Sequence, residues 1–212
     1  MRTDTSELSL EKEQACEHSI HPLLAQRRSW KAFSPRLIEP EILDHLFEAA
    51  RWAPSCMNEQ PWSFIVATKQ NPSEFERLLG CLHEFNIRWA QHAAALLLSV
   101  AKLTFTSNGE PNNHALHDLG QAIASLTFQA SACGLTVCQM AGFDVEKARQ
   151  IFSIPLDHAP VAVAAIGYPG SVDSLPDKLR QKMLAPRQRK PAEKFIFEGS
   201  WGQSPIWTRE RT

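Results

Sequence analysis

Apolar residues recur at Ile42, Leu43, Leu46, Phe47 and Ala50 behind Pro40, and this spacing of three and four predicts a helix with one core face. A longer run has the same period: Leu116, Leu119, Ile123, Leu126, Ala130 and Cys133 predict a central helix over about 113–133, with Gly134 as its stop. Between them, residues 63–68 read as a buried strand. Asn71-Pro72-Ser73-Glu74 reads as an N-terminal cap on a helix reaching about Cys81. Residues 87–92 read as helical, 94–101 as a central strand and 104–111 as a loop. Further on, 135–140 reads as a strand, and Asp144 caps a helix whose core face is Val145, Ala148, Ile151 and Phe152. Residues 160–166 form a last β-rich run. Strands interleaved with helices in this way predict an α+β or α/β domain with a covered sheet.

The ends differ from the middle. Residues 1–19 are polar and almost free of an apolar stripe, so they are expected to be an arm, possibly flexible, ahead of a domain over 20–170. Residues 21–29 open that domain as a short helix. From 171 to 212 the chain is rich in Pro, Lys and Arg, with apolar bursts at Phe195-Ile196-Phe197 and Trp201. Such a tail cannot form a core alone, and its aromatic residues need a surface to cover, most economically that of a second subunit.

Composition narrows the classes. The 212 residues carry a net charge of −1 with 21% charged, so no global field recruits nucleic acid or an anionic membrane. The apolar run 93–101 is too short to span a bilayer, and the start of the chain lacks a hydrophobic signal segment. The five cysteines, 16, 56, 81, 133 and 138, lack CxxC spacing, which disfavours a disulfide framework or a zinc ribbon. A cytoplasmic protein with reduced thiols is expected. There is no GxGxxG, no GxxxxGK[ST], no GxSxG and no HExxH, so Rossmann, P-loop, serine-hydrolase and zincin chemistry lose their support. His114 and His117, with Asp118 adjacent, lack a third ligand at credible spacing, and no metal is expected.

The candidate chemistry lies in loops. Ala53-Pro54-Ser55-Cys56-Met57-Asn58-Glu59-Gln60-Pro61-Trp62 joins a helix to a strand, with prolines fixing the backbone and Ser55, Asn58 and Gln60 offering polar groups. Its plain alternative is a connection that satisfies its own backbone. Arg27, Arg28 and Lys31 form one local basic cluster and residues 187–190 another. Each suits a phosphate, and each is also an ordinary solvated turn.

In order and separation, Arg27-Arg28-Ser29-x-Lys31-x-Phe33, the 53–62 loop, Gly134-Leu135 with Ala141-Gly142-Phe143-Asp144, and Arg187-x-Arg189-x-Pro191 together resemble the flavin-dependent (FMN) nitroreductase family over about 21–202. The resemblance implies an α+β fold with a mixed or antiparallel sheet flanked by helices. It also implies an intertwined homodimer with FMN at the subunit interface and the C-terminal arm exchanged. Carried over, Arg27, Ser29, Arg187 and Arg189 match the phosphate positions, with Arg28 beside them and Lys31 toward the ribityl chain and the pyrimidine edge. Pro54, Ser55, Cys56, Met57, Asn58 and Gln60 match the loop that approaches the flavin from the other subunit, and Ala141 and Gly142 the turn beside the ring. Cys56 stands where a small residue is usual, and Ala141 where some members carry glutamate.

The implied activity is ping-pong oxidoreduction, with NADH or NADPH reducing the flavin and a nitroaromatic, quinone or related conjugated acceptor oxidising it. The flavin carries the chemistry, so no protein acid, base or nucleophile is required. The alternatives are a specialised branch of the fold, such as a dehalogenase or an oxygen-using enzyme, and a flavin-binding protein without turnover.

Overall fold

The computed structural model describes residues 16 and 18–209, and most of the predicted N-terminal arm lies outside them. These residues fall into two compact units, Cys16–Met183 and 184–209.

In the first unit the chain runs through α1 (Pro22–Gln26), α2 (Pro40–Arg51), β1 (Trp62–Thr68), α3 (Pro72–Leu79), α4 (Glu84–Ala90), β2 (Ala95–Lys102), α5 (Ala115–Ala132), β3 (Thr136–Met140), α6 (Val145–Ile151) and β4 (His158–Gly167). The four strands form one antiparallel sheet in the order β1-β2-β4-β3. It is therefore an α+β fold, and the antiparallel form of the expected sheet is the one realised.

Each face of the sheet carries its own core, because side chains alternate along a strand. Leu96, Leu98 and Val100 of β2 point to one side, with Phe75, Leu78, Trp89, Cys138 and Met140. Ala95, Leu97 and Ala101 point to the other, where Leu46 of α2 and Leu119, Ile123 and Leu126 of α5 cover them. β2 is buried on both faces, as expected of a central strand.

Three expectations need correction. β1 is not a buried strand: it is the sheet edge, and among its residues only Ala67 is buried. Leu116 shares the apolar period of α5 but is 55% exposed, because it lies one residue past the core-facing Ala115. The helix over 72–81 stops at Leu79, where the Gly80 N–H closes on the Glu76 carbonyl and Asn71 takes the cap position without capping through its side chain. Asp144 does cap α6, accepting the Lys147 N–H at 2.9 Å, and Gly134 takes φ +74 after α5.

An additional helix, α7 (Asp177–Leu184), begins within the polar tail. Leu175 is buried in the first core, and Val172, Leu179 and Met183 pack against it. Within the 184–209 unit, the Phe197 and Trp201 rings meet in a tilted pair with centres 4.9 Å apart, and Glu198 accepts the Ile206 N–H at the start of α8 (Ile206–Arg209).

Candidate functional site

α1 starts on His21 and Pro22, and its end releases the chain into Arg27, Arg28, Ser29 and Lys31. The Arg27 guanidinium donates to the Ser29 hydroxyl at 3.3 Å. This turn is fastened to β3 by a buried threonine: Thr136 Oγ1 accepts the Trp30 N–H and donates to the Arg28 carbonyl at 3.1 Å. The Trp30 indole donates to the Gly170 carbonyl at 3.0 Å. The Lys31 ammonium lies 4.8 Å from the Trp89 ring centre and 5.5 Å from that of Phe85. Lys31 and Arg27 both act on the Cys138 thiol of β3, yet burial outweighs them and pushes that thiol up to about 11.

β3 leads to Ala141 and Gly142. The Gly142 carbonyl accepts from Asn86 Nδ2 at 3.0 Å and from the His83 N–H at 3.0 Å. A Cβ on Gly142 would meet Asn86 Nδ2 at 2.7 Å, so only glycine permits this approach. Asn86, Phe85 and Trp89 share α4, and none of them was singled out from the sequence. The nearest signal was the helical reading of 87–92, which starts one residue past Asn86.

The 53–62 loop is bent rather than extended. Met57, Asn58 and Gln60 take φ of +53, +57 and +52, a region costly for side chains other than glycine. The loop closes on itself through Gln60 N–H to Ser55 Oγ at 3.0 Å, Gln60 Nε2 to the Asn58 carbonyl at 3.2 Å, and Asn58 N–H to the Ser55 carbonyl at 3.1 Å. Two carboxylates tie it to its surroundings, Asp118 from α5 and Glu59 from within the loop. Asp118 accepts the Cys56 N–H at 2.9 Å, and Glu59 accepts the Thr106 N–H at 2.7 Å and its hydroxyl at 2.5 Å. The Thr106 bonds hold the Glu59 carboxyl below its ordinary range. Pro54 and Met57 are exposed, Met57 at 85%, and Cys56 is half-buried.

The sequence-predicted residues of the first unit therefore form two groups. Cys56 is bound at the first turn of α5, and Arg28 is bound through Thr136 just beyond its last turn. At 1.5 Å per residue those ends lie about 20 Å apart. One chain does not bring the two groups together. Arg187 and Arg189 belong to the 184–209 unit, where Arg187 is half-buried and Arg189 is exposed and donates to the Gln188 carbonyl at 2.9 Å. Among the described residues no cluster of three or more His, Cys, Asp or Glu could hold a metal, and no helix is long and apolar enough to cross a membrane. His114 and His117 are exposed, whereas Asp118 is buried.

This α+β sheet with its paired cores is the fold of a solved structure described as an oxidoreductase containing FMN. The two align with a TM-score of 0.85 at 29% identity, covering 90% of this chain and 97% of that one. The chain belongs to the nitroreductase family, whose model matches residues 24–168. Among curated relatives, an uncharacterised 15.4 kDa protein of Mycolicibacterium smegmatis is 36% identical over 131 residues, 60% of this chain and 84% of that protein. An oxygen-insensitive NADPH nitroreductase of Helicobacter acinonychis is 25% identical over 82% of this chain and 93% of its own. Iodotyrosine deiodinase 1 of Sus scrofa is 23% identical over 77% of this chain and 66% of its own length.

Proposed function

We propose that the protein is an FMN-dependent oxidoreductase working as a homodimer, with each flavin site built from the basic turn of one subunit and the 53–62 loop of the other. The observation that carries this reading is the anchoring of the basic turn on Thr136, just past one end of α5, about 20 Å from the other end, where Asp118 holds the loop that the family resemblance assigns to the same site. A second copy is the economical way to join them.

The residues present fit FMN. Arg27, Arg28, Ser29, Arg187 and Arg189 offer forked donors and a hydroxyl suited to a phosphate. Lys31, held between aromatic rings, supplies a positive charge toward the ring system. The Ala141-Gly142 turn, pinned by Asn86 through the Gly142 carbonyl, would stand beside the ring, while Pro54, Ser55, Cys56, Met57, Asn58 and Gln60 form the opposing wall. Bound FMN would supply the redox chemistry, with NADH or NADPH as the reductant and a nitroaromatic, quinone or related conjugated compound as the acceptor in a ping-pong cycle. The chain supplies binding, orientation and charge. Residues 20–170 act as the flavin domain, and 171–212 as an arm that continues onto the partner subunit. No membrane or nucleic-acid partner is invoked, and the expected setting is cytoplasmic.

The deciding experiment is a visible spectrum of the purified protein, followed by anaerobic NADPH or NADH. A yellow preparation that bleaches is expected, whereas a colourless one that takes up no added FMN would overturn the assignment. The likeness to the deiodinase favours one second reading, reductive dehalogenation on the same site. A panel of halogenated phenols run beside nitroaromatics and quinones separates the two.

A further inference from the structure

We propose that Asp118 is a positioning residue that clamps the 53–62 loop and thereby sets how tightly the acceptor is held, a role that rests on the flavoenzyme reading above. Asp118 is 2% exposed in the first turn of α5, where backbone N–H groups lack helical partners and a carboxylate is well placed. It spans 62 residues of sequence to take the Cys56 N–H. That N–H opens the tight turn whose next residues, Met57 and Asn58, both stand at positive φ, with Gln60 at the third such position. Unfavourable backbone conformations persist only where the surroundings over-determine them. The bonds within the loop close it on itself, and Glu59 ties its far side to Thr106, which belongs to another loop. The loop's end is tied to β2 where the Pro61 carbonyl accepts the Lys102 N–H, and Asp118 is the anchor of the 56–60 turn that comes from α5, a helix packed on the sheet, so it fixes that turn relative to the core. The loop then presents Met57 and Asn58 outward, and both are exposed.

The test compares wild type with Asp118→Asn, which keeps an acceptor oxygen and loses the charge, and Asp118→Leu, which keeps the bulk and loses the acceptor. Amide hydrogen exchange at Cys56 and Asn58, whose N–H groups are bonded to Asp118 and to the Ser55 carbonyl, is read on the full protein as purified, alongside kcat and KM for a nitroaromatic acceptor. Exchange is expected to rise about threefold in the asparagine variant and about tenfold in the leucine variant, as a charge-assisted bond is weakened and then lost. KM is expected to rise in the same order while kcat stays within about twofold, a split that general destabilisation would not produce. Wild-type exchange and KM in both variants would overturn the clamp. If the leucine variant does not fold, the asparagine variant decides alone: joint movement of exchange and KM supports the clamp, and no movement overturns it. Exchange does not depend on turnover. A wild-type protein that binds no FMN would sink the flavoenzyme reading while the exchange series still judged the clamp.

Discussion

Glycine 142 and cysteine 138 show how much single residues decide around the candidate site. At Gly142 the carbonyl is held from two sides by α4, and a methyl group would stand 2.7 Å from Asn86 Nδ2. Gly142→Ala is therefore expected to expel the Asn86 amide and to destabilise the fold by about 1 kcal/mol, the net worth of an ordinary hydrogen bond. Urea unfolding measures this. Asn86→Ala, which loses the same bond without the clash, should fall no further than Gly142→Ala. For Cys138, burial raises the thiol to about 11 against the pull of Lys31 and Arg27, from 9.0. A raised folded value means that its contribution to stability is complete below pH 9 and is lost as pH rises through about 11. Thermal melts should fall across that interval, and Cys138→Ala should fall less. A thiol reagent near pH 8 should modify the exposed Cys16 and half-buried Cys56 well before Cys138. Equal labelling of Cys138 would show that its burial is breached.

At the scale of elements, the helix ends offer a cleaner handle than the helix faces. α6 begins on the Asp144 cap and ends with Ser153 at φ +52, so one end is well served and the other costs conformational energy. Ser153→Gly is expected to stabilise by up to about 1 kcal/mol, or about 2–4 °C in Tm, because glycine takes that conformation freely. Asp144→Ala should cost about 1 kcal/mol. A fall on Ser153→Gly would show that its side chain contributes more than the backbone saves.

The same contrast explains what could be read before the fold was known. Periodic apolar residues placed α2 and α5 closely, and continuous apolar, β-rich runs placed β2 and β4, since burial dictates both patterns. Gly134 and Asp144 placed two ends, since their chemistry is local. β1 reads as buried because Phe64, Ile65 and Val66 are apolar, but only the sheet order reveals that it lies at an edge. α7 gave no signal, since Leu179 and Met183 are sparse among charges and find their core only in three dimensions. The Cys56–Asp118 and Asn86–Gly142 bonds join residues 62 and 56 positions apart, so no local pattern announces them. The order of their motifs marked the basic turn and the loop as candidates for one site, whereas their placement at opposite ends of α5 was not legible.

Across the whole molecule, charge contributes by location more than by number. Several ion pairs are exposed and lie three or four residues apart on one helix, such as Arg51–Glu48, Arg77–Glu74 and Arg88–Glu84, and pairs of that kind add little. Glu39 is the exception in reach. It accepts from Arg36 at 2.7 Å and from the Tyr168 hydroxyl at 2.8 Å, while the Arg36 guanidinium lies 3.8 Å from the centre of the Tyr168 ring. This knot ties the start of α2 to the residue after β4, 129 positions away. The bond from Arg36, then that from Tyr168, lowers the Glu39 carboxyl from 4.5 to about 2. A lowered folded value means that the stabilisation is present above pH 4.5 and is lost as pH falls through about 2. Glu39→Gln should therefore melt below wild type at pH 7, and the two curves should converge on acidification toward pH 2. The side chain is 44% exposed, so the gap at pH 7 should be modest and should narrow in high salt. A gap that stays constant from pH 7 to pH 2 would assign the effect to lost packing of the Glu39 stem rather than to its charge, and the tie between α2 and β4 would then rest on Arg36 stacking against Tyr168.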